Sequence, residues 1–231
     1  KVWQKLKREG YVVARCTVAR LMQKLGLQGV WRGKNKLTTR SRDDQKRAAD
    51  LVKRNFSADQ PDHLWVADFT YIQTHSGWVY TAFIIDVFSR AIVGWKVSTR
   101  MNTDMVLDAL EQALHDRGMP KNVIHHSDRG VQYLSIRYTN RLEAANLRAS
   151  VGTTGDSYDN ALAETVNGLY KTEVIEYLKA DWQGLADVQL ATLNWVDWFN
   201  KKRVHSALGY VSPFEFEAMY YDKINPLGQV A

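Results

Sequence analysis

The sequence predicts an α/β protein built on a mixed sheet and preceded by a small helical segment. Three runs rich in β-branched and aromatic residues follow one another across residues 64–99, as consecutive strands would. Two shorter apolar runs then alternate with helical patterns as far as residue 151. Long amphipathic helical patterns occupy much of the remainder. Strands followed by alternating helices and strands are typical of this fold class.

The size and composition exclude several classes of protein. The chain has 231 residues, enough for one or two domains, and its hydrophobic fraction of 45% with eight Trp supplies a core. No apolar run is long enough to span a membrane, and the charged first residues do not form a secretion signal. The single Cys16 excludes a disulfide framework and a Cys-rich zinc module. We therefore expect a cytoplasmic protein with no membrane partner.

The net charge of +6 is unevenly distributed. Residues 1–54 carry 16 Lys and Arg against 4 acids, a net of +12, whereas residues 55–231 carry 15 against 21, a net of −6. A basic arm of this kind attracts polyanions, most often DNA or RNA. The alternative is a solvated charged surface with no partner.

The basic arm begins with two predicted helices. The first covers residues 1–8 and ends at Gly10, and the second starts at Thr17 as N-cap and stops at Gly26. Two short helices around a tight turn indicate a helix-turn-helix with an exposed basic face. We assign residues 1–36 to this partial DNA-binding segment and residues 37–60 to a basic linker and connecting helix. The exposed face comprises Arg15, Thr17, Arg20 and Lys24.

The body of the chain is divided by turn residues into regular elements. Residues 74–77 and the pair Ser89 and Arg90 predict hairpin turns, so the first three strands are antiparallel. The predicted strands cover residues 64–74, 78–88, 91–99, 123–127 and 147–151, and the predicted helices cover residues 103–117, 136–146, 159–178 and 182–201.

Three acidic residues stand out by their positions. Asp68 lies inside the first strand, where an unpaired charge costs several kcal/mol unless it binds a partner or a metal. Asp128 follows the fourth strand, the usual location of ligand-binding residues in open α/β sheets. Glu164 lies on the helix that follows a loop rich in Gly, Thr, Ser and Asp.

The helix that carries Glu164 has one polar face. Asn160, Glu164, Asn167 and Lys171 recur at helical spacing, opposite an apolar face that would pack on the sheet. A carboxylate, two amides and a lysine in a row suit metal and phosphate contacts. Taken alone, the same stripe is also compatible with an ordinary solvated helix face.

A trio of Asp, Asp and Glu matches the chemistry of hard cations. Mg²⁺ prefers oxygen ligands and keeps several waters, and two such ions promote phosphoryl transfer without a Ser, Cys or His nucleophile. Asp86 is a competing carboxylate, for which pairing with Arg90 or with the hairpin is the simpler explanation. We interpret Asp156 and Asp159 as helix caps. His125 and His126 do not predict zinc, because adjacent strand residues point to opposite faces.

These acids lie in motifs that resemble the bacterial insertion-sequence transposases with a retroviral-integrase-like (DDE) core, in the family named for insertion sequence three. Each aspartate lies in its own motif, and 35 residues separate Asp128 from Glu164, the family spacing. The likeness covers roughly residues 10–216. The matching segments are residues 65–71, 126–133 and 155–164, Lys171, and the C-terminal residues Asn200, Arg203, His205 and 208–213.

The resemblance implies an RNase H-like five-stranded core over residues 61–180, with a C-terminal helical extension over residues 181–231. It implies that Asp68, Asp128 and Glu164 are catalytic and hold two Mg²⁺ ions, with Mn²⁺ as a substitute. The enzyme would hydrolyse one strand at an element end and free a 3′-OH. That hydroxyl would then attack another phosphodiester and join the strands.

The same resemblance implies double-stranded DNA as partner, both the terminal inverted repeats and the target, with a dimer or higher oligomer on DNA. His205 is equally compatible with a packing role. A nuclease that cuts without joining and a non-catalytic DNA-binding remnant remain rival hypotheses. The predicted DNA contacts are Asn160, Asn167, Lys171, Arg129, Gln132, Lys201, Lys202, Arg203, His205, Arg15, Arg20 and Lys24.

Overall fold

The structure, a computed structural model, describes residues 1–29, 49–53, 55–128, 130–152, 161–178 and 181–225. Within these ranges the five predicted strands are all present. They are β1 Leu64–Thr74, β2 Gly77–Asp86, β3 Ile92–Ser98, β4 Ile124–Ser127 and β5 Arg148–Val151. The helices are α1 Val2–Arg8, α2 Arg15–Lys24, α3 Thr103–Asp116, α4 Ile136–Ala144, α5 Ala161–Tyr170, α6 Leu185–Lys201 and α7 Pro213–Ile224.

The five strands form one mixed sheet in the order β3-β2-β1-β4-β5. β1 pairs antiparallel with β2 along its length, and β2 pairs antiparallel with β3. β4 lies parallel to both β1 and β5. The predicted mixed α/β fold is therefore confirmed. Parallel pairing requires a crossover, and α3 and α4 supply the two helical connections.

Each face of the sheet is covered by its own set of helices. On one face Val66 and Phe83 pack against apolar residues of α5 and α6, including Tyr170 and Trp195. On the other face α3 and α4 cover the residues that alternate with these, such as the fully buried Trp65. Burial on both faces explains why β1 begins as a continuous apolar run.

One close approach depends on a missing side chain. A Cβ atom at Gly94 of β3 would lie 2.2 Å from the backbone oxygen of Ala109 in α3. Glycine lets the helix backbone sit directly on the strand, which draws α3 onto the sheet. Any larger residue at position 94 would push the helix away.

Two local predictions in the N-terminal part are wrong. α2 begins at Arg15 with Ala14 as its N-cap, two residues before Thr17, and no side chain caps it. The connecting helix is absent from the described part of the linker, because residues 51–53 form a bend and turn. There the Asp50 carboxylate accepts hydrogen bonds from the amides of Val52 and Lys53, at 2.9 and 3.0 Å, in competition with a helix.

The helix that carries Glu164 is not uniform. The predicted start at residue 159 lies outside the described residues, and α5 passes at Lys171 into a π-helical segment, Lys171–Glu176. π-helical turns are rare and occur frequently at functional sites. Within this segment Lys171 contacts Tyr71 of β1, whereas Glu173 accepts a hydrogen bond from Trp195 of α6.

The C-terminal extension is helical, and one of its side chains ties it to the sheet. Asn200 at the end of α6 accepts from the backbone amide of Ile92 and donates to its carbonyl, at 2.9 and 2.8 Å. Ser212 and Glu215 form a capping box that starts α7, an element that the sequence patterns did not delimit. No helix in the described ranges is long and apolar enough to cross a membrane.

Candidate active site

Strand register brings the two aspartates together. β1 and β4 pair in parallel, with Ala67 opposite Ser127 as the last matched residues. Asp68 and Asp128 come next on their respective chains, at the edge where the pairing ends. The carboxyl ends of parallel strands are where ligands bind in open α/β sheets. The two carboxylates therefore lie side by side because of a register that the hydrophobic strands determine.

The half-buried Asp68 carboxylate is held at both oxygens. Its Oδ1 accepts from the backbone amide of Phe69 at 2.8 Å, and its Oδ2 accepts from Nδ2 of Asn167 at 2.8 Å. Asn167 lies on α5 on the predicted polar stripe and is 8% exposed. At Asn167 the stripe therefore faces β1 rather than solvent, and this side chain orients the aspartate instead of reaching outward to DNA.

The electrostatics of this edge leave negative charge uncompensated. Loss of water, then the charge of Asp128, and more weakly that of Glu164, raise the pKa of Asp68 to about 8, against the hydrogen bonds from Phe69 and Asn167. A carboxylate whose neighbours are carboxylates favours a proton or a metal ion. Both other predicted acids thus act on Asp68 through space.

Their chemistry fits a hard cation, although the site is not a closed cage. Within the described ranges, no group of three or more His, Cys, Asp or Glu is gathered tightly enough to hold a metal on its own. Such an open site suits Mg²⁺, because this ion keeps several of its waters and needs only one or two carboxylates from the protein. A divalent ion bound by Asp68 and Asp128 would offset the repulsion between the two carboxylates, which burial strengthens.

Lys171 places a positive charge beside this edge. Its ammonium lies 4.6 Å from the ring centre of Tyr71, a cation–π contact on β1. Burial lowers the pKa of Lys171, and the charges of Asp68 and Glu176 oppose that change. This position is compatible with the phosphate contact that the sequence predicts for Lys171.

The remaining predicted DNA contacts fall into three groups. Arg15, Arg20, Lys24, Lys201 and Lys202 are exposed, and Lys201 forms an ion pair with Asp197 one helical turn away. Arg129 and Asn160 lie outside the described residues. Three others, Gln132, Arg203 and His205, are turned toward the protein.

These three side chains have other partners. Gln132 is 6% exposed, and its amide donates to the backbone oxygen of Met101 at 3.5 Å. Arg203 is buried and donates to both carboxylate oxygens of Glu173. His205 packs its ring on Phe199 with centroids 4.8 Å apart. These contacts turn the three side chains away from a DNA surface. The sequence does not predict this, because polar residues are usually exposed.

The competing polar residues have structural partners. The buried Asp86 accepts from the amide and hydroxyl of Ser89 and from the amide of Asp62, each at 2.8 Å. Burial raises its pKa to about 6, against these bonds. The hairpin interpretation of Asp86 is confirmed. Asp156 and Asp159, interpreted as caps, lie outside the described residues.

The adjacent histidines of β4 also point to separate partners. His125 contacts the hydroxyl of Tyr138 at 3.0 Å, and His126 contacts the hydroxyl of Ser150 at 2.9 Å. Their rings pack on opposite faces of the sheet, against Tyr138 and Phe56 respectively. The two side chains therefore do not converge on a shared ligand.

Sequence reasoning missed one residue at this edge. Tyr133 is part of the motif around Asp128 but had no assigned role, and the structure buries its hydroxyl near both aspartates. A tyrosine in a short polar segment gives no signal of burial. Its position five residues after Asp128 was the only available indication.

Comparison with known proteins agrees with this architecture. Residues 58–157 and 145–213 match two models of the integrase core domain, and residues 1–35 match a model of an HTH-like domain. Among solved structures, the HTLV-2 integrase catalytic core domain in complex with magnesium covers 70% of this chain and 99% of its own, with a TM-score of 0.55 and 18% identity. A chain of the simian T-cell lymphotropic virus intasome covers 76% of this chain and 60% of its own, with a TM-score of 0.61 and 16% identity.

Curated relatives are much more similar in sequence. The transposase of insertion sequence element IS629 from Shigella sonnei is 58% identical over 224 residues, which cover 97% of this chain and 74% of the relative. The putative transposase of IS986/IS6110 from Mycobacterium tuberculosis is 54% identical, covering 96% and 81%. Transposase InsF of IS3A from Escherichia coli K12 is 34% identical, covering 94% and 75%.

The RNase H-like sheet and the integrase core define a polynucleotidyl transferase. Within that class, identity at this level over nearly the whole chain is decisive. The chain belongs to the insertion-sequence transposases of the family named for insertion sequence three.

Proposed function

We propose that this transposase cleaves and joins DNA with Asp68, Asp128 and Glu164 as its catalytic residues. The observation that carries the proposal is the meeting of the two aspartates at the end of the β1–β4 pairing, with Glu164 adding its charge from α5. These carboxylates would hold two Mg²⁺ ions, and Mn²⁺ would substitute. Such ions activate an attacking oxygen and stabilise a leaving one.

The residues around the carboxylates would prepare the DNA for two successive displacements. In the first, water attacks a phosphodiester at the element end, and the 3′ oxygen leaves as a hydroxyl after protonation. In the second, that 3′-OH attacks another phosphodiester, whose own 3′ oxygen leaves. Lys171 would hold a phosphate next to the scissile bond, while Asn167 keeps Asp68 oriented.

The DNA partner would be double-stranded, first the terminal inverted repeats and then the target. The exposed residues Arg15, Arg20 and Lys24 of α2 would grip the repeat, and Lys201 and Lys202 would extend the track. Arg129 remains a predicted contact of the strand that enters the site, and Asn160 remains a predicted DNA contact. We retain the division into residues 1–36, 37–60, 61–180 and 181–231.

The two element ends must be brought together before they are joined, so we infer a dimer or a higher oligomer on DNA. We place this complex in the cytoplasm, at the nucleoid, where its substrate lies. The basic arm would supply most of the attraction for DNA, because the remainder of the chain is acidic.

A strand-transfer assay tests the proposal. The full chain is incubated with Mg²⁺ and a precleaved terminal-repeat duplex, or with an uncleaved one. Strand-transfer products support the transposase mechanism. Cleavage without joining would indicate the nuclease instead, and binding without either reaction would indicate a DNA-binding remnant.

Three conservative variants assign the carboxylates. Asp68→Asn, Asp128→Asn and Glu164→Gln should each lower turnover by at least about a thousandfold, because metal-dependent sites fail when a ligand is lost. Binding to the repeat duplex, measured without metal, should remain near wild type. Wild-type turnover in any one variant would remove that residue from the catalytic set.

A further inference from the structure

Two buried polar atoms beside the acidic edge have no hydrogen-bond partner within the described part of the chain. They are the hydroxyl oxygen of Tyr133 and the side-chain oxygen Oδ1 of Asn167. The two residues are only 3% and 8% exposed. A buried polar group without a partner costs about 1–3 kcal/mol, and native proteins contain few of them. Two at one edge call for a ligand that supplies the missing bonds.

The Tyr133 ring is fixed next to both aspartates. It packs against Phe69, the residue after Asp68, with ring centroids 6.2 Å apart, and edge-on against Tyr138 at 5.4 Å. On its other side, a Cβ at Gly130 would lie 3.0 Å from Oδ1 of Asp128 and 3.4 Å from the Tyr133 ring. The absent side chain of Gly130 thus lets carboxylate and ring approach each other.

Asn167 borders the same carboxylates from α5. Its Nδ2 donates to Asp68 at 2.8 Å, which fixes the amide and aims the unpartnered Oδ1 elsewhere. Both free atoms are oxygens with lone pairs, so both are able to accept hydrogen bonds. A bound cation would keep Asp68 and Asp128 ionised, and an ionised carboxylate only accepts hydrogen bonds, so neither would then supply the missing donors.

We propose that the Tyr133 hydroxyl and the Asn167 side-chain oxygen accept hydrogen bonds from the water molecules that a divalent cation carries into the acidic edge. This inference rests on the proposed metal-dependent function and deepens it. Mg²⁺ keeps several waters when one or two carboxylates bind it. The cation polarises these waters, so that they are strong hydrogen-bond donors. The two unpartnered oxygens would accept the hydrogen bonds that the aspartates do not. Tyr133 is then a positioning residue for the hydrated ion.

The variant Tyr133→Phe isolates the hydroxyl. The ring contacts with Phe69 and Tyr138 stay, and only an unpartnered oxygen is removed. We expect the affinity for Mn²⁺, followed by the loss of its free spectroscopic signal and by competition with Mg²⁺, to fall about tenfold, as for other outer contacts of metal sites. The melting temperature without metal should stay equal or rise, and the stabilisation by added Mg²⁺ should shrink.

The matched control is Tyr138→Phe, another buried tyrosine that loses a hydroxyl. Its oxygen bonds His125 at 3.0 Å, so this variant should lower the melting temperature without metal and leave Mn²⁺ affinity unchanged. Wild-type Mn²⁺ affinity in Tyr133→Phe would overturn the inference alone. If Asp68→Asn also bound Mn²⁺ like the wild type, the proposed metal site itself would fail.

Discussion

Two clusters of charge lie on either side of the helix formed by α5 and its π-helical segment. They differ in whether a positive charge pairs with the buried carboxylate. Toward the sheet, Asp68 accepts hydrogen bonds from two neutral amides, and the charges that raise its pKa are those of the carboxylates Asp128 and Glu164. Toward α6, Glu173 receives three hydrogen bonds from Arg203, at 2.6–3.0 Å, and one from Trp195 at 3.1 Å.

The difference separates a carboxylate that is paired within the fold from one that is not. The Glu173–Arg203 pair is complete, since the guanidinium fork meets both carboxylate oxygens. The Asp68 cluster is incomplete, because the neighbouring carboxylates repel Asp68 and two nearby oxygens have no hydrogen-bond partner among the residues that the structure describes. A position in the interior alone thus does not indicate a functional acid, whereas missing compensation makes an acid a candidate.

The largest expected effect comes from breaking the complete pair. Glu173→Gln leaves the Arg203 guanidinium, 6% exposed, without its counter-charge. Removing one member of a buried pair typically lowers the free energy of unfolding by about 3–5 kcal/mol. Urea unfolding of the variant measures this loss. Asp197→Asn, which breaks the exposed pair with Lys201, should change it by less than about 1 kcal/mol.

The next effect concerns a titratable group that is kept neutral. Burial, with a smaller contribution from the charge of His126, lowers the pKa of His125 to about 4. The unfolded chain takes up this proton near its usual value of about 6.5, so stability is lost as pH falls from there toward 4. Over this pH range the free energy of unfolding should fall by up to about 3 kcal/mol.

Unfolding measured from about pH 7 to about pH 4.5 checks the histidine prediction. His125→Gln should show a flatter pH dependence than the wild type, whatever its absolute stability. His115→Gln should keep the wild-type slope, because the His115 side chain is 90% exposed. An identical slope in all three proteins would contradict the prediction.

Neutralising Asp68 should raise the free energy of unfolding, whereas breaking the Glu173–Arg203 pair should lower it. Asp68→Asn removes the repulsion from Asp128 and Glu164, and its new amide is able to donate to Asn167 after that side chain turns. We expect the free energy of unfolding without metal to rise by about 1 kcal/mol. A loss comparable with that of Glu173→Gln would show that Asp68 is compensated after all.

The smallest expected effect is on DNA affinity through Lys171. Lys171→Ala should reduce the dependence of log affinity on log salt concentration by about one unit, the value for one phosphate contact. Titration of a labelled repeat duplex at several salt concentrations gives the slope. Lys96→Ala, which removes an exposed lysine paired with Asp108, should leave it unchanged.

Most of the sheet and the acidic trio could be predicted, because their signals are local. Strands β1 to β5 follow from runs of β-branched and aromatic residues, and turn residues mark their ends. Asp68 stood out because a charge interrupts an apolar strand. The trio itself also depended on motif resemblance, and its catalytic role stays a prediction.

Other features escaped prediction for physical reasons. The π-helical segment at Lys171 and the inward turn of Arg203 depend on which helix packs alongside. α2 starts at Arg15 without a side-chain cap, so the cap pattern at Thr17 predicted the wrong start for this helix. In the linker, the side chain of Asp50 competes with helical hydrogen bonds, which apolar periodicity does not register.

The sequence by itself determined the order of elements, the basic arm and the three acids, since periodicity, turn residues and charge are written along the chain. Only the tertiary structure decided which polar residues face each other. Asn167 meets Asp68 across 99 positions of sequence, and Arg203 meets Glu173 across 30. Such contacts arise from the β1–β4 register and from helix packing, and for that reason Asn167 faces the acidic edge, which the polar stripe alone could not distinguish from a solvated helix face.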